Sequence, residues 1–129
     1  MGRWGFSLVA VFVAAFALGS AAPVAAKEGV KATLLAPVRV DAPGGTRITI
    51  RWKLGYRDAQ GWHTFGGMGI FARLIGRSGA PASSALARGV PGGYRATLRV
   101  PRGGMSRIQI GIHGSTDLLF PITNDPFRH

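Results

Sequence analysis

The chain has 129 residues, of which 16 are Lys or Arg and 5 are Asp or Glu, giving a formal charge of +11, and it contains no cysteine. That composition excludes a disulfide framework, a thiolate metal site and a lipid-modified cysteine, and it leaves little for paired-carboxylate chemistry beyond Asp117 and Asp125. The lysines are Lys27, Lys31 and Lys53, so the basic excess is almost all arginine, whose planar fork matches carboxylate and phosphate.

Met1-Gly2-Arg3 makes a short basic start, residues 6–18 form an uncharged run rich in Val, Ala and Phe, and residues 19–26 are small and broken by Pro23. Val24 and Ala26 stand three and one positions before Lys27. This is the layout of a secretory signal peptide. It predicts a helical signal segment over residues 1–26, cleaved to leave residues 27–129 as one domain that is secreted, periplasmic or held at the cell surface. The competing reading is an uncleaved membrane anchor, since residues 4–26 approach the roughly 20 apolar residues that span a bilayer. Pro23 counts against a continuous spanning helix. Cleavage removes one arginine, Arg3, so 15 basic residues remain against 5 acids, a charge of +10.

Past Lys27 the strand signals begin weakly at residues 31–35 and 38–41, and Pro43-Gly44-Gly45 marks a turn. Residues 46–54 then alternate with period two: Ile48, Ile50, Trp52 and Leu54 fall on one side, Arg47, Thr49, Arg51 and Lys53 on the other. That is a half-buried strand. Residues 58–69, with Trp62, His63 and several glycines, read as a loop, residues 70–75 as a weaker strand, and residues 76–89 as a long loop with room for one poor edge strand. After the turn Pro91-Gly92-Gly93, residues 94–100 alternate again, with Arg95, Thr97 and Arg99 outward. Residues 106–112 follow, with Ile108, Ile110 and Ile112 inward. Pro101-Arg102-Gly103-Gly104 between these two strands predicts a hairpin, and a last weak strand covers residues 118–123. About seven short strands separated by such turns predict an all-β fold, an immunoglobulin-like antiparallel β-sandwich. Ile48, Ile50, Trp52, Leu98, Ile108, Ile110 and Phe120 are its expected core.

Gly93-Tyr94-Arg95-Ala96 resembles the Gly-x-Tyr-x-Cys stretch of immunoglobulin-type strands, with Ala96 where the disulfide cysteine would stand. More broadly, a Gly-Thr-x-Ile-x-Ile-x-Trp strand (Gly45 to Trp52) followed by a Gly-Gly-Tyr strand is similar to small exported bacterial β-sandwich modules. Some of those modules are linked with copper handling. The resemblance implies the fold and not a particular activity.

If the strands at 46–54 and 94–100 share a sheet, Arg47, Arg51 and Lys53 form one basic row and Arg95 and Arg99 a second beside it. Such a face suits anionic partners: an envelope polymer, membrane headgroups or an acidic protein. Its bland alternative is a solvated sheet face whose arginines reflect coding bias. Nucleic acid is a poor partner, because export separates the chain from it. His63, Met68, Met105 and His113 carry the imidazole and thioether donors that suit copper, provided that the fold brings them together; otherwise they are packing and solvated residues. Ser106, His113 and Asp117 supply the residue types of a catalytic triad without its spacing. The string Gly76-Arg77-Ser78-Gly79-Ala80 lacks the last glycine of a nucleophile elbow, and residues 67–72 fit a dinucleotide fingerprint only superficially, since they lead into a strand. The expectation is a non-enzymatic, cofactor-free exported binding or structural module that meets anionic groups through arginine, with a copper-handling module as the alternative.

Overall fold

The computed structural model describes residues 29–77 and 80–128. The expected signal segment, residues 1–26, lies outside them. The described residues are all-β and contain no helix. Eleven strands follow in order: β1 (Lys31–Leu34), β2 (Val38–Arg39), β3 (Arg47–Asp58), β4 (Gly61–Thr64), β5 (Ile70–Gly76), β6 (Ser83–Leu86), β7 (Arg88–Val90), β8 (Gly93–Arg99), β9 (Met105–Ile112), β10 (Leu118–Phe120) and β11 (Phe127–Arg128). The excess over the expected seven comes from short pieces. The stretch read as a loop at 58–69 carries β4, and the loop at 76–89 carries β6 and β7.

One antiparallel sheet has the order β1-β3-β8-β7, with β4 also paired to β3, and the other has the order β10-β9-β5-β6. β3 organises the first sheet. Trp52 pairs with Leu34 on one side and Tyr94 on the other, while Gly55 pairs with Lys31 and Thr64. β8 and β4 therefore lie end to end along one edge of β3, with β1 on the opposite edge. The outer edge of β1 is covered by residues 121–124. The Ala32 N–H donates to the Pro121 carbonyl at 2.8 Å, and the Thr123 N–H donates to the Ala32 carbonyl at 2.9 Å. The Asn124 side chain then accepts from the Leu34 N–H at 3.0 Å and donates to the Leu34 carbonyl at 2.9 Å, acting as one more strand residue. This blunts an edge that would otherwise offer unpaired backbone groups. β2 and β11 form a small parallel pair beyond it.

The expected hairpin between residues 94–100 and 106–112 does not form. β8 pairs with β3 and β7, and β9 pairs with β5 and β10, so residues 101–104 arch from one sheet to the other. Period-two alternation says which face of a strand is buried, and it says nothing about which neighbour completes the sheet. Gly103 and Gly104 adopt φ of 80° and 97°, the left-handed region that glycine reaches without steric cost, and Pro101 is buried against the turn at Gly44.

Both sheets send side chains into one core. Ile50, Trp52, Leu54, Ala96 and Leu98 enter from the first sheet, and Ala72, Leu74, Ile108, Ile110 and Phe120 from the second. Ile48 is partly buried against this cluster, so every expected core residue belongs to it. Trp52 is fully buried and stacks with Tyr94 at a centroid distance of 6.1 Å. Tyr94 is tethered in turn, its hydroxyl donating to the Phe65 carbonyl at 3.0 Å. With no cysteine to join the sheets, burial of this kind holds them together.

The Trp52 indole N–H is buried with no hydrogen-bond partner among the described residues, a defect of about 1–3 kcal/mol. Trp52→Ala is expected to cost about 3–5 kcal/mol. Trp52→Phe deletes the orphan donor along with part of the ring, so its cost is expected to be less than half as large. Urea unfolding of the two variants checks this. Equal losses would mean that the indole N–H is satisfied.

Candidate functional site

Strands β3 and β8 share a sheet, and their register places the outward basic residues face to face. Arg47 is opposite Arg99 and Arg51 is opposite Arg95, with Thr49 opposite Thr97 between them. The threonine hydroxyls hydrogen-bond to each other at 3.1 Å. β7 extends the second arginine row, because Arg88 is opposite Arg95. Arg51, Arg95 and Arg88 thus run across three adjacent strands, which sit about 4.8 Å apart. The Arg47–Arg99 pair lies four residues along β3, about 14 Å away. Lys53 continues the β3 row, and its neighbour on β1 is Thr33. Arg99 donates to the Gly45 carbonyl at 2.7 Å, which holds its guanidinium at the end of the sheet.

The one acidic residue of β1, β3, β7 and β8 is Asp58, at the exposed end of β3 and on the opposite parity to the arginines, so none of the positions that alternate with Arg47 and Arg95 holds an acid. The aspartates are engaged with other groups: Asp41 binds Arg39 at 3.1 Å, Asp58 binds His63 at 2.8 Å, and Asp117 binds Arg73 at 3.0 Å and His113 at 2.9 Å. Asp125 accepts from the Phe127 N–H in its own turn. Each of the first three carboxyls is held below its ordinary range, mainly by the hydrogen bond from Arg39, His63 and His113 respectively. Arg88 lies in a stretch whose composition predicts a loop, and it begins β7. The signal that finds it is the Pro91-Gly92-Gly93 turn, which pairs residues 88–90 back onto β8.

The same face carries an aromatic group. Gly55 leaves the outer side of β3 bare, and the Trp62 indole lies over it, so that a Cβ at Gly55 would stand 2.5 Å from Trp62 Cζ2. Trp62 remains 37% exposed, and the Lys53 ammonium is 5.0 Å from its ring centroid.

The four His and Met residues are distributed differently. Met105 is fully buried in the core at the start of β9, and His113 follows the far end of that strand, about 27 Å along the chain axis. His63 is on β4 of the first sheet, stacked on Tyr56 at 5.1 Å. Met68 is 92% exposed, and its neighbour Gly69 accepts from the His113 N–H at 2.9 Å, which brings the Met68 loop to His113. His113 and Asp117 share a hydrogen bond, while Ser106 lies toward the other end of β9 with its hydroxyl on the Ile75 carbonyl at 3.3 Å.

The outer face of the second sheet contrasts with the first. Phe71 is fully buried there, outside the central core, in a slot that Gly111 opposite it leaves open. His113 stacks on Phe71 at 4.1 Å and the Arg73 guanidinium lies 4.7 Å from its ring. Leu86 and Leu119 flank it, exposed.

No family model matches the chain, and no curated protein or solved structure does either.

The depressed carboxyls at Asp58 and Asp117 predict the acid limb of stability. A carboxylate whose pKa is lower in the folded state contributes stability that is complete above its unfolded value, here about 3.8, and is lost as pH falls through the lower folded value. Thermal unfolding followed downward from pH 6 is expected to show destabilisation below pH 3.8, with a shallower fall in Asp117→Asn. Identical slopes in both proteins would contradict the assignment.

Proposed function

We propose that the chain is a non-enzymatic, exported module of immunoglobulin-like β-sandwich type that binds anionic groups of the cell envelope through Arg47, Arg51, Lys53, Arg95 and Arg99. The observation that carries this reading is the register of β3 and β8, which sets arginine opposite arginine twice. Like charges directly opposite each other destabilise a sheet, by roughly 0.2–1 kcal/mol per pair. A solvated face with no partner gains nothing from that arrangement. A phosphate, sulfate or carboxylate seated between two guanidiniums turns the repulsion into two forked, charge-assisted contacts. The absence of acids from the positions that alternate with Arg47 and Arg95 supports the same conclusion, since an internal carboxylate would compete for the site.

Export rests on the layout of residues 1–26, and the immunoglobulin-like assignment draws on two antiparallel sheets packed around Trp52. Copper handling has less support, because Met105 is buried, His63 is on the first sheet and His113 follows a strand of the second.

Arg51→Thr combined with Arg95→Thr tests the reading. The double variant is expected to fold with unchanged or slightly higher stability, up to about 1 kcal/mol, because it relieves a like-charge pair. Its binding to inorganic polyphosphate is expected to fall at least tenfold, and wild-type binding should weaken steeply with salt, since exposed charges are screened beyond about 8 Å at physiological ionic strength. Undiminished binding by the variant, or binding insensitive to salt, would contradict it.

A further inference from the structure

We infer that the anionic partner is a polysaccharide and that Trp62 is the platform on which one of its sugar rings stacks. This rests on the anion-binding reading above and narrows it to one chemical class. The arginine rows and Trp62 occupy the same face in linear order along β3: Arg47, Arg51 and Lys53, then the indole over Gly55, then Arg57. The track is about 35 Å long. A linear polymer laid along it meets forked cationic donors at the first two rows and an indole at the far end.

The geometry at Trp62 is specific. Gly55 has no side chain, so the indole lies over the backbone of β3 and stays 37% exposed. The exposed part of an indole presents an apolar surface with a polar edge, which complements the C–H face of a pyranose ring whose hydroxyls point sideways. The Lys53 ammonium lies over the same ring, 5.0 Å from its centroid, so a carboxylate or phosphate on a sugar held at the exposed part of the indole meets a cation there. Between the arginine rows, the exposed hydroxyls of Thr49 and Thr97 can both donate and accept, which serves sugar hydroxyls and adds little for a bare phosphate chain.

The face fits the competing polyanions less well. A bilayer favours apolar side chains that project beyond the charged layer, whereas Trp62 lies against the sheet and the outward residues of β3 and β8 around it are Arg, Thr and Lys. Single-stranded nucleic acid stacks successive bases on successive aromatic groups, and Trp62 is the single aromatic residue at the outward positions of β1, β3, β4, β7 and β8.

The test uses the full-length protein with three probes: polygalacturonate, inorganic polyphosphate, and phosphatidylglycerol vesicles. Trp62→Ala is expected to weaken polygalacturonate binding about fivefold, the size of one aromatic contact, and to change polyphosphate binding less than twofold. Trp62→Phe is expected to restore most of the polygalacturonate affinity, which a variant damaged in folding would not do. Equal losses on both polymers, no loss on polygalacturonate, or tighter binding to the vesicles than to polygalacturonate would overturn the polysaccharide inference while leaving the anion-binding reading in place. Should Arg51→Thr with Arg95→Thr leave every probe unaffected, the underlying reading falls and this one falls with it.

Discussion

Period-two alternation in β3 is the constraint from which the rest of the molecule follows. Burying Ile50, Trp52 and Leu54 between the sheets forces Arg47, Thr49, Arg51 and Lys53 to the opposite side. The same parity holds in β8, where Ala96 and Leu98 are buried and Arg95, Thr97 and Arg99 are outside. Pairing the two strands in register then determines both faces together. A one-residue slip would drive arginine into the core, so the apolar side protects the geometry of the basic side. In a chain without cysteine, the packing of Trp52 and its neighbours is the main term that keeps that register.

The two outer faces of the protein express different chemistry. On the first sheet, cations face cations and the positions that alternate with them carry no acid. On the second, Arg73 is satisfied by Asp117 and Gln109, and His113 by Asp117, with Phe71 packed beneath them. Arginine written by coding bias alone would be expected to find carboxylates equally on both sides. The asymmetry is what supports the proposal of a binding surface on the first sheet, because aligned guanidiniums supply no stability that an alternating mixture of signs would not supply at lower cost.

Local pattern made much of this legible. β3 and β8 alternate along their central residues, and alternation identifies their inward and outward residues without reference to partners; in β9 the register shift opposite Ile75 and Gly76 brings Met105 into the core on the parity opposite to Ile108 and Ile110. What alternation does not encode is long-range pairing. Residues 101–104 have the composition of a hairpin turn, yet they cross between sheets because β8 and β9 already have neighbours on both edges. Arg88 sits in a stretch too poor in β-branched residues to read as a strand, and only its pairing with Arg95 brings it to the face. Phe71 has the composition of a core residue and instead lies on an outer surface, in a slot created by Gly111, forty positions later. Trp62 is likewise placed by Gly55 across the β3–β4 pairing. In each of these cases the decisive partner is a glycine or a strand edge distant in sequence, where no local period could register it.

The central claim is that the odd-numbered residues of β3 and β8 form the binding surface. The most direct measurement is backbone amide mapping by nuclear magnetic resonance during titration with a short anionic oligosaccharide. The account predicts that shifts concentrate in residues 47–57, 62–64, 88 and 95–99, and that the amides around Phe71, Gly111 and His113 stay unmoved. Shifts confined to the second sheet and the loop at Met68 would contradict it and move the function to the opposite face.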